Sequence, residues 1–197
     1  MTLDSTLAGA DACRGGWVIV QQSGRTDARI SWRAYETLNE LFAGPEVPNL
    51  VALDIPIGLP GSGARSCDRE ARRLLGPKRG TSVFAAPLRS LLAADRDCVR
   101  EVHPELCFYF MNGERPIELS KKSRAGRDER LRLLRQPFAS GVDDALGGGK
   151  LQGCSADDLL DASTALWTAQ RIADGRSVRF PESPEHDEEN LPMQIEA

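Results

Sequence analysis

The stretch LAGADACRGGWVIV, Leu7 to Val20, decides the fold, and Asp11 near its centre makes it informative. The run is otherwise apolar and strand-like. Aspartate is depleted in strands and costly to bury unless it is paired or bound to a metal. Arg14-Gly15-Gly16 follows at once; glycine reaches positive φ without steric cost, so these residues suit a tight hairpin turn. Trp17 to Val20 then reads as the returning strand. A strand that ends in a carboxylate and folds straight back is a rigid place to hold a divalent cation, provided that other carboxylates join it.

Outward from the hairpin, Ala28 to Tyr35 alternates enough for a third strand, and Thr37 can cap a short helix through Phe42 that Gly44-Pro45 ends. Leu50 to Ile55 (LVALDI) is the near-continuous apolar run of a strand buried on both faces. It closes on Asp54, before a rigid loop from Pro56 to Gly61. Ser66 to Leu75 predicts an Arg-rich amphipathic helix stopped by Gly76-Pro77, and Pro87 to Ala94 another short helix. Cys98 to Val102 predicts a strand leading into Glu101-Val102-His103-Pro104-Glu105. A basic helix spans Gly126 to Arg135, a glycine-rich loop Phe138 to Gly153, and the clearest helix Ser155 to Asp174, with Leu159, Ala162, Leu166, Ala169 and Ala173 at core spacing. A short strand (Val178–Phe180) and an acidic, proline-containing tail complete the chain. Hairpin-connected strands followed by crossover strands predict a mixed sheet covered by helices, an α/β domain.

The chain of 197 residues is 41% hydrophobic and 27% charged, the composition of one soluble globular domain with a real core. No apolar run approaches the roughly 18 residues of a membrane span, and Asp4 with no basic leader does not read as a signal peptide. Five scattered cysteines without a CxxC spacing lead us to expect reduced thiols in a cytoplasm, and two histidines make a histidine-based metal cage a poor fit. Cys67 lies between Arg65 and Arg69, an electropositive setting for a thiolate, but no base is evident beside it. The net charge is −4 yet unevenly placed. Basic residues crowd Arg65–Arg89 and Lys121–Arg135, and acids crowd Asp143–Asp161 and Glu182–Glu196. Such asymmetry allows a basic track beside an acidic site, or merely solvated helix faces.

Asp11 and Asp54 fall at the ends of two strands expected to be central, where open α/β sheets build their sites. Glu101 and Glu105 flank the end of the next strand, and Asp157, Asp158 and Asp161 lie in the first turns of the last long helix. Mg²⁺ and Mn²⁺ take oxygen ligands, and a pair of such ions clamps the attacking and leaving oxygens of a phosphodiester. Blander readings stand beside this one. Ser155 with Asp158 reads as a capping box, Asp54 could simply begin a turn before Pro56, and Glu101 could face outward on an edge strand. Asp161 lies too far inside its helix to be a cap.

The segments GADACRGGWV (9–18), ALDIPIGLP (52–60), RSCDREARRLLGPKRGTSVFAAP (65–87), REVHPELCF (100–108), KKSRAGRDERLRLL (121–134) and DDLLDASTALWTA (157–169), with the tail LPMQIEA (191–197), resemble the DUF429 family. That family is described as predicted nucleases with an RNase H-like fold. The resemblance implies a five-stranded sheet of order 3-2-1-4-5 over residues 1–197, with an acidic site at the ends of strands 1 and 4. Asp11, Asp54, Asp158 and Asp161 would hold Mg²⁺ or Mn²⁺, with Glu101 or Glu105 near strand 5. The pattern from Asp158 to Ala162 also resembles Holliday-junction resolvases of the same superfamily. Family members carry a longer segment with a further basic helix where Ala86 to Arg100 is compact here.

These residues lead us to expect a metal-dependent nuclease, with Arg14, Arg65, Arg72, Lys121 and Lys122 holding phosphates of a DNA or RNA substrate. A non-catalytic nucleic-acid-binding or scaffold protein on the same fold is the alternative. A kinase of the actin type shares the strand pattern but needs two lobes, and the chain has no P-loop. Oligomeric state stays open, a homodimer being the arrangement that would double the basic surface.

Overall fold

The hairpin forms where the sequence places it. In the computed structural model, which describes residues 5–24, 30–60, 64–83, 98–139, 141–147 and 153–197, strand β1 (Thr6–Cys13) pairs antiparallel with β2 (Gly16–Ser23), Asp11 lying opposite Val18. Gly16 makes the turn possible twice over. Its φ is +133°, and a Cβ there would lie 2.1 Å from the Tyr35 carbonyl oxygen. That oxygen belongs to β3 (Ser31–Tyr35), which pairs antiparallel with β2. β4 (Leu50–Leu53) and β5 (Val99–Glu101) add on the other side of β1, both parallel. The resulting mixed sheet has the order β3-β2-β1-β4-β5 and, flanked by helices, matches the RNase H-like description.

Strand alternation sorts the side chains onto two faces. Leu7, Val18, Val20, Leu50 and Ala52 pack against Leu159, Ala162, Ala165, Leu166 and Ala169 of α6 (Ala156–Ala173). Ala8, Ala10, Ile19, Val51 and Leu53 cover the opposite face together with Leu38 and Leu41 of α1 (Leu38–Ala43). Gly9 explains how closely α6 lies on the sheet. A Cβ at Gly9 would sit 2.1 Å from both the Ala162 carbonyl oxygen and the Leu166 nitrogen. α6 itself starts on a complete capping box: Ser155 Oγ accepts from the Asp158 N–H at 3.2 Å, and the Asp158 carboxylate accepts from the Ser155 N–H at 2.7 Å.

The other helices depart from expectation in instructive ways. α2 (Ser66–Arg79) does not stop at Gly76 but kinks there, at φ 72° and ψ 179°. Pro77 then opens the resumed helix, because the first turn needs neither its missing N–H nor a φ other than its own. α3 (Pro104–Met111) was not expected; it begins on a proline in the same way, with Leu106, Cys107 and Phe108 buried. α4 (Arg124–Phe138) extends the expected basic helix at both ends. The glycine-rich stretch expected as loop contains α5 (Gly141–Gly147), held by buried Val142 and Ala145. The tail forms β6 (Arg179–Phe180) and β7 (Ile195–Glu196), and a parallel bridge from Val102 to Glu196 joins them to the edge of the main sheet. The helix expected from Pro87 to Ala94 lies outside the described residues. Among those described, no helix is long and apolar enough to cross a membrane.

Candidate functional site

Strand parity gathers the acids. Asp11 continues the Leu7–Gly9 face of β1, and Asp54, one residue beyond β4, continues the Leu50–Ala52 face. The Asp54 N–H still donates to the Ala10 carbonyl at 3.3 Å, so the two acids end adjacent parallel strands on the side covered by α6. Asp161, on the second turn of α6, is 4% exposed, and Asp11 is 9% exposed. Lys121 joins them from the segment before α4. Its Nζ lies 2.6 Å from an Asp161 carboxylate oxygen. Gly126 positions that segment, since a Cβ there would lie 2.0 Å from the Ser120 carbonyl oxygen.

The electrostatics of this group are strained. The Asp11 carboxyl is pushed from 3.8 up to about 9, first by burial and then by the charges of Asp161, Asp54 and Asp158. Burial raises Asp54 to about 7 and Asp161 to about 6, with the Lys121 ammonium pulling both back. Among the described residues no hydrogen bond or ion pair reaches the carboxylate of Asp11 or of Asp54. Buried acids normally find such partners.

Glu101 is not part of this cluster. It pairs in register with Leu53, so its side chain lies on the opposite face from Asp11 and Asp54. There it accepts from the Ile57 N–H at 2.7 Å and from both terminal nitrogens of Arg65 at 2.8 and 2.6 Å. Arg65 also donates twice to Asp68 and once to the Gly58 carbonyl. All five N–H donors of this buried guanidinium are therefore spent on the protein, leaving none for a phosphate. Donor atoms of Cys67, Asp68 and Glu101 lie within 4.8 Å of one another, but Arg65 already supplies the positive charge there. Burial pushes the Cys67 thiol up to about 12, which removes it as a thiolate nucleophile.

The remaining expected residues divide. Glu105 accepts from buried Arg130 at 2.7 Å and lines a cleft of about 480 Å³ with Asp54 and Lys121, at the edge of the acid cluster. Asp158 spends its carboxylate on the helix cap and contributes charge to Asp11. Arg72 donates to the Val83 carbonyl at 2.8 Å, a structural bond. Arg14 and Lys122 are exposed. His103 went unnoticed in the sequence as a site residue. It lines the same cleft, its Nε2 lies 3.1 Å from the Ser82 carbonyl, and its buried Nδ1 has no partner among the described residues. Burial pushes its pKa down, so it stands neutral, with Nδ1 as an acceptor. The one sequence signal was its place before Pro104, at the start of a helix.

The donor set of Asp11, Asp54 and Asp161 fits a divalent cation. Hard carboxylate oxygens are what Mg²⁺ and Mn²⁺ take, and among the described residues neither Asp11 nor Asp54 has a direct ion-pair partner. The trio is open, since its oxygens do not all lie within 4.8 Å of one another.

A mixed sheet of this order, with carboxylates at the ends of its two central parallel strands, defines an α/β protein of RNase H-like architecture. A family model described as "Protein of unknown function (DUF429)" matches residues 9–97 and 90–186, and the chain belongs to that family. No curated protein and no solved structure matches it.

Proposed function

We propose that this protein is a divalent-metal-dependent hydrolase of nucleic-acid phosphodiesters, acting in the cytoplasm. The observation that carries the reading is a pair of acids, buried Asp11 and half-buried Asp54, which have no side-chain partner among the described residues and face Asp161 from adjacent strand ends. Asp11, Asp54 and Asp161 would hold Mg²⁺ or Mn²⁺, which supplies an activated water and neutralises phosphate charge. Asp158 reinforces the negative field from the first turn of α6. Lys121 balances Asp161 and lines the cleft, where its ammonium can meet a phosphate oxygen. Exposed Arg14, three residues after Asp11, and exposed Lys122, next to Lys121, suit the outer phosphates.

One observation favours the alternative, a nucleic-acid-binding protein without catalysis. The Lys121 ammonium already neutralises Asp161 as a fixed cation would. Both readings are tested by incubating single-stranded, duplex, hybrid and branched DNA and RNA with Mg²⁺ or Mn²⁺. Cleavage by the wild type that is lost in Asp11→Asn supports the hydrolase. Salt-sensitive binding without cleavage supports the alternative. Cleavage that survives Asp11→Asn would sink the assignment of the site.

A further inference from the structure

Beside the acid cluster, two cysteines that the proposed chemistry does not use meet across the fold. Cys13 ends β1, two residues beyond Asp11, and Cys154 precedes the Ser155 cap of α6. They are 141 positions apart in sequence, yet their sulfurs lie 2.8 Å apart. Both are half-buried thiols. The contact is built by the backbone as well. Gly153 adopts a φ of +76°, and a Cβ there would come within 3.3 Å of the nitrogen and Cα of Gly15 in the hairpin turn. Cys67 and Cys107, by contrast, are buried in separate core clusters.

We propose that Cys13 and Cys154 form a reversible disulfide that ties the β1–β2 turn to the N-terminus of α6. The oxidant is a low-molecular-weight disulfide such as glutathione disulfide. One cysteine sulfur attacks it, releasing one glutathione thiol and leaving a mixed disulfide on the protein. The second cysteine sulfur then displaces the bound glutathione. Two protein thiols and one glutathione disulfide thus become one protein disulfide and two glutathione thiols, with protons and electrons balanced. Disulfides in a reducing compartment are typically of this transient, sensing kind. Because Asp11 and Asp158 lie on the two tied segments, the bond also fixes the spacing of the acids. Burial, then the adjacent Cys13 sulfur and, less, the charges of Asp158 and Asp11 push the Cys154 thiol up to about 12, so exchange is slow and calls for millimolar glutathione disulfide and long incubation.

The test is to oxidise the purified protein with glutathione disulfide, count thiols after denaturation and map tryptic peptides. The wild type should fall from five thiols to three, with residues 1–14 linked to residues 151–171. Dithiothreitol should restore all five, and the oxidised form should melt several degrees higher. Cys13→Ser and Cys154→Ser should each form no crosslink, the variant that keeps the attacking cysteine retaining its glutathione adduct, whereas Cys98→Ser should still lose two thiols. Five thiols persisting in the wild type, a glutathione adduct without a crosslink, a crosslink between other cysteines, or a crosslink with unchanged melting would each overturn the proposal. The peptide map of the wild type decides the matter even if a serine variant fails to fold.

Discussion

Replacing Asp11 with asparagine should stabilise the metal-free protein, and should do so more at higher pH. The reasoning starts from a carboxyl held at about 9 in the fold against 3.8 in its ordinary state. Between about pH 4 and pH 9 the unfolded chain gives up this proton while the folded chain keeps it. The folded state is therefore at its best below pH 4 and loses about 1.4 kcal/mol for each pH unit above it. At pH 7 the penalty is at most about 4 kcal/mol, and sharing of charge with Asp54 and Asp161 lowers it to about 1–3 kcal/mol. Asparagine has the shape of the neutral carboxyl and cannot ionise. Urea denaturation in EDTA, run at several values between about pH 4.5 and pH 8.5, reads the difference directly. The expected difference is near zero at the acid end and grows steadily with pH. A variant that is destabilised equally at every pH would refute the reasoning, because it would mean that the Asp11 carboxylate is ionised and bonded in the fold.

Arg65→Met should cost about 3–5 kcal/mol at neutral pH, because it strands Glu101 and Asp68 in the interior without their counter-charge. The loss should grow as the pH rises above about 7, because Arg65 holds the buried Glu101 carboxyl down to about 7 and without it the proton stays on to higher pH; a loss under about 1 kcal/mol at neutral pH would contradict the bridge. Gly9→Ala should cost at least about 3 kcal/mol or prevent folding, since its Cβ would strike the backbone of α6 at 2.1 Å; thermal melting within a degree of the wild type would disprove that contact. Lys121→Met removes the positive charge beside Asp161, so the metal-free protein should lose stability and the melting shift on adding Mg²⁺ or Mn²⁺ should exceed that of the wild type. An equal shift in both proteins would show that Lys121 does not share the site.

Much of the site was legible in the sequence because its geometry follows from strand period. Leu7, Gly9 and Asp11 share one face, as do Leu50, Ala52 and Asp54, and alternation alone places both acids on one side of the sheet. Glu101 was not legible in this way. Its face depends on the register of β5 against β4, which nothing local sets. Arg65 shows a different limit: a basic run reads the same whether its arginine meets a phosphate or a buried carboxylate 36 positions away. Asp158 carried both readings in the sequence, and the capping hydrogen bonds account for its carboxylate. Lys121 and Asp161 are 40 positions apart, so their ion pair emerged only when α4 and α6 packed together. α3 and α5 are too short for periodicity to reveal, and tertiary burial makes them helical.

Calorimetric titration of Mn²⁺ or Mg²⁺ into the wild type, Asp11→Asn and Asp54→Asn at about pH 7.5 tests the central claim most directly. The three-acid site predicts saturable binding by the wild type, with proton release from the Asp11 carboxyl, and at least a tenfold loss of affinity, about 1.4 kcal/mol, in each variant. No binding up to millimolar metal, or an affinity that both substitutions leave unchanged, would contradict it.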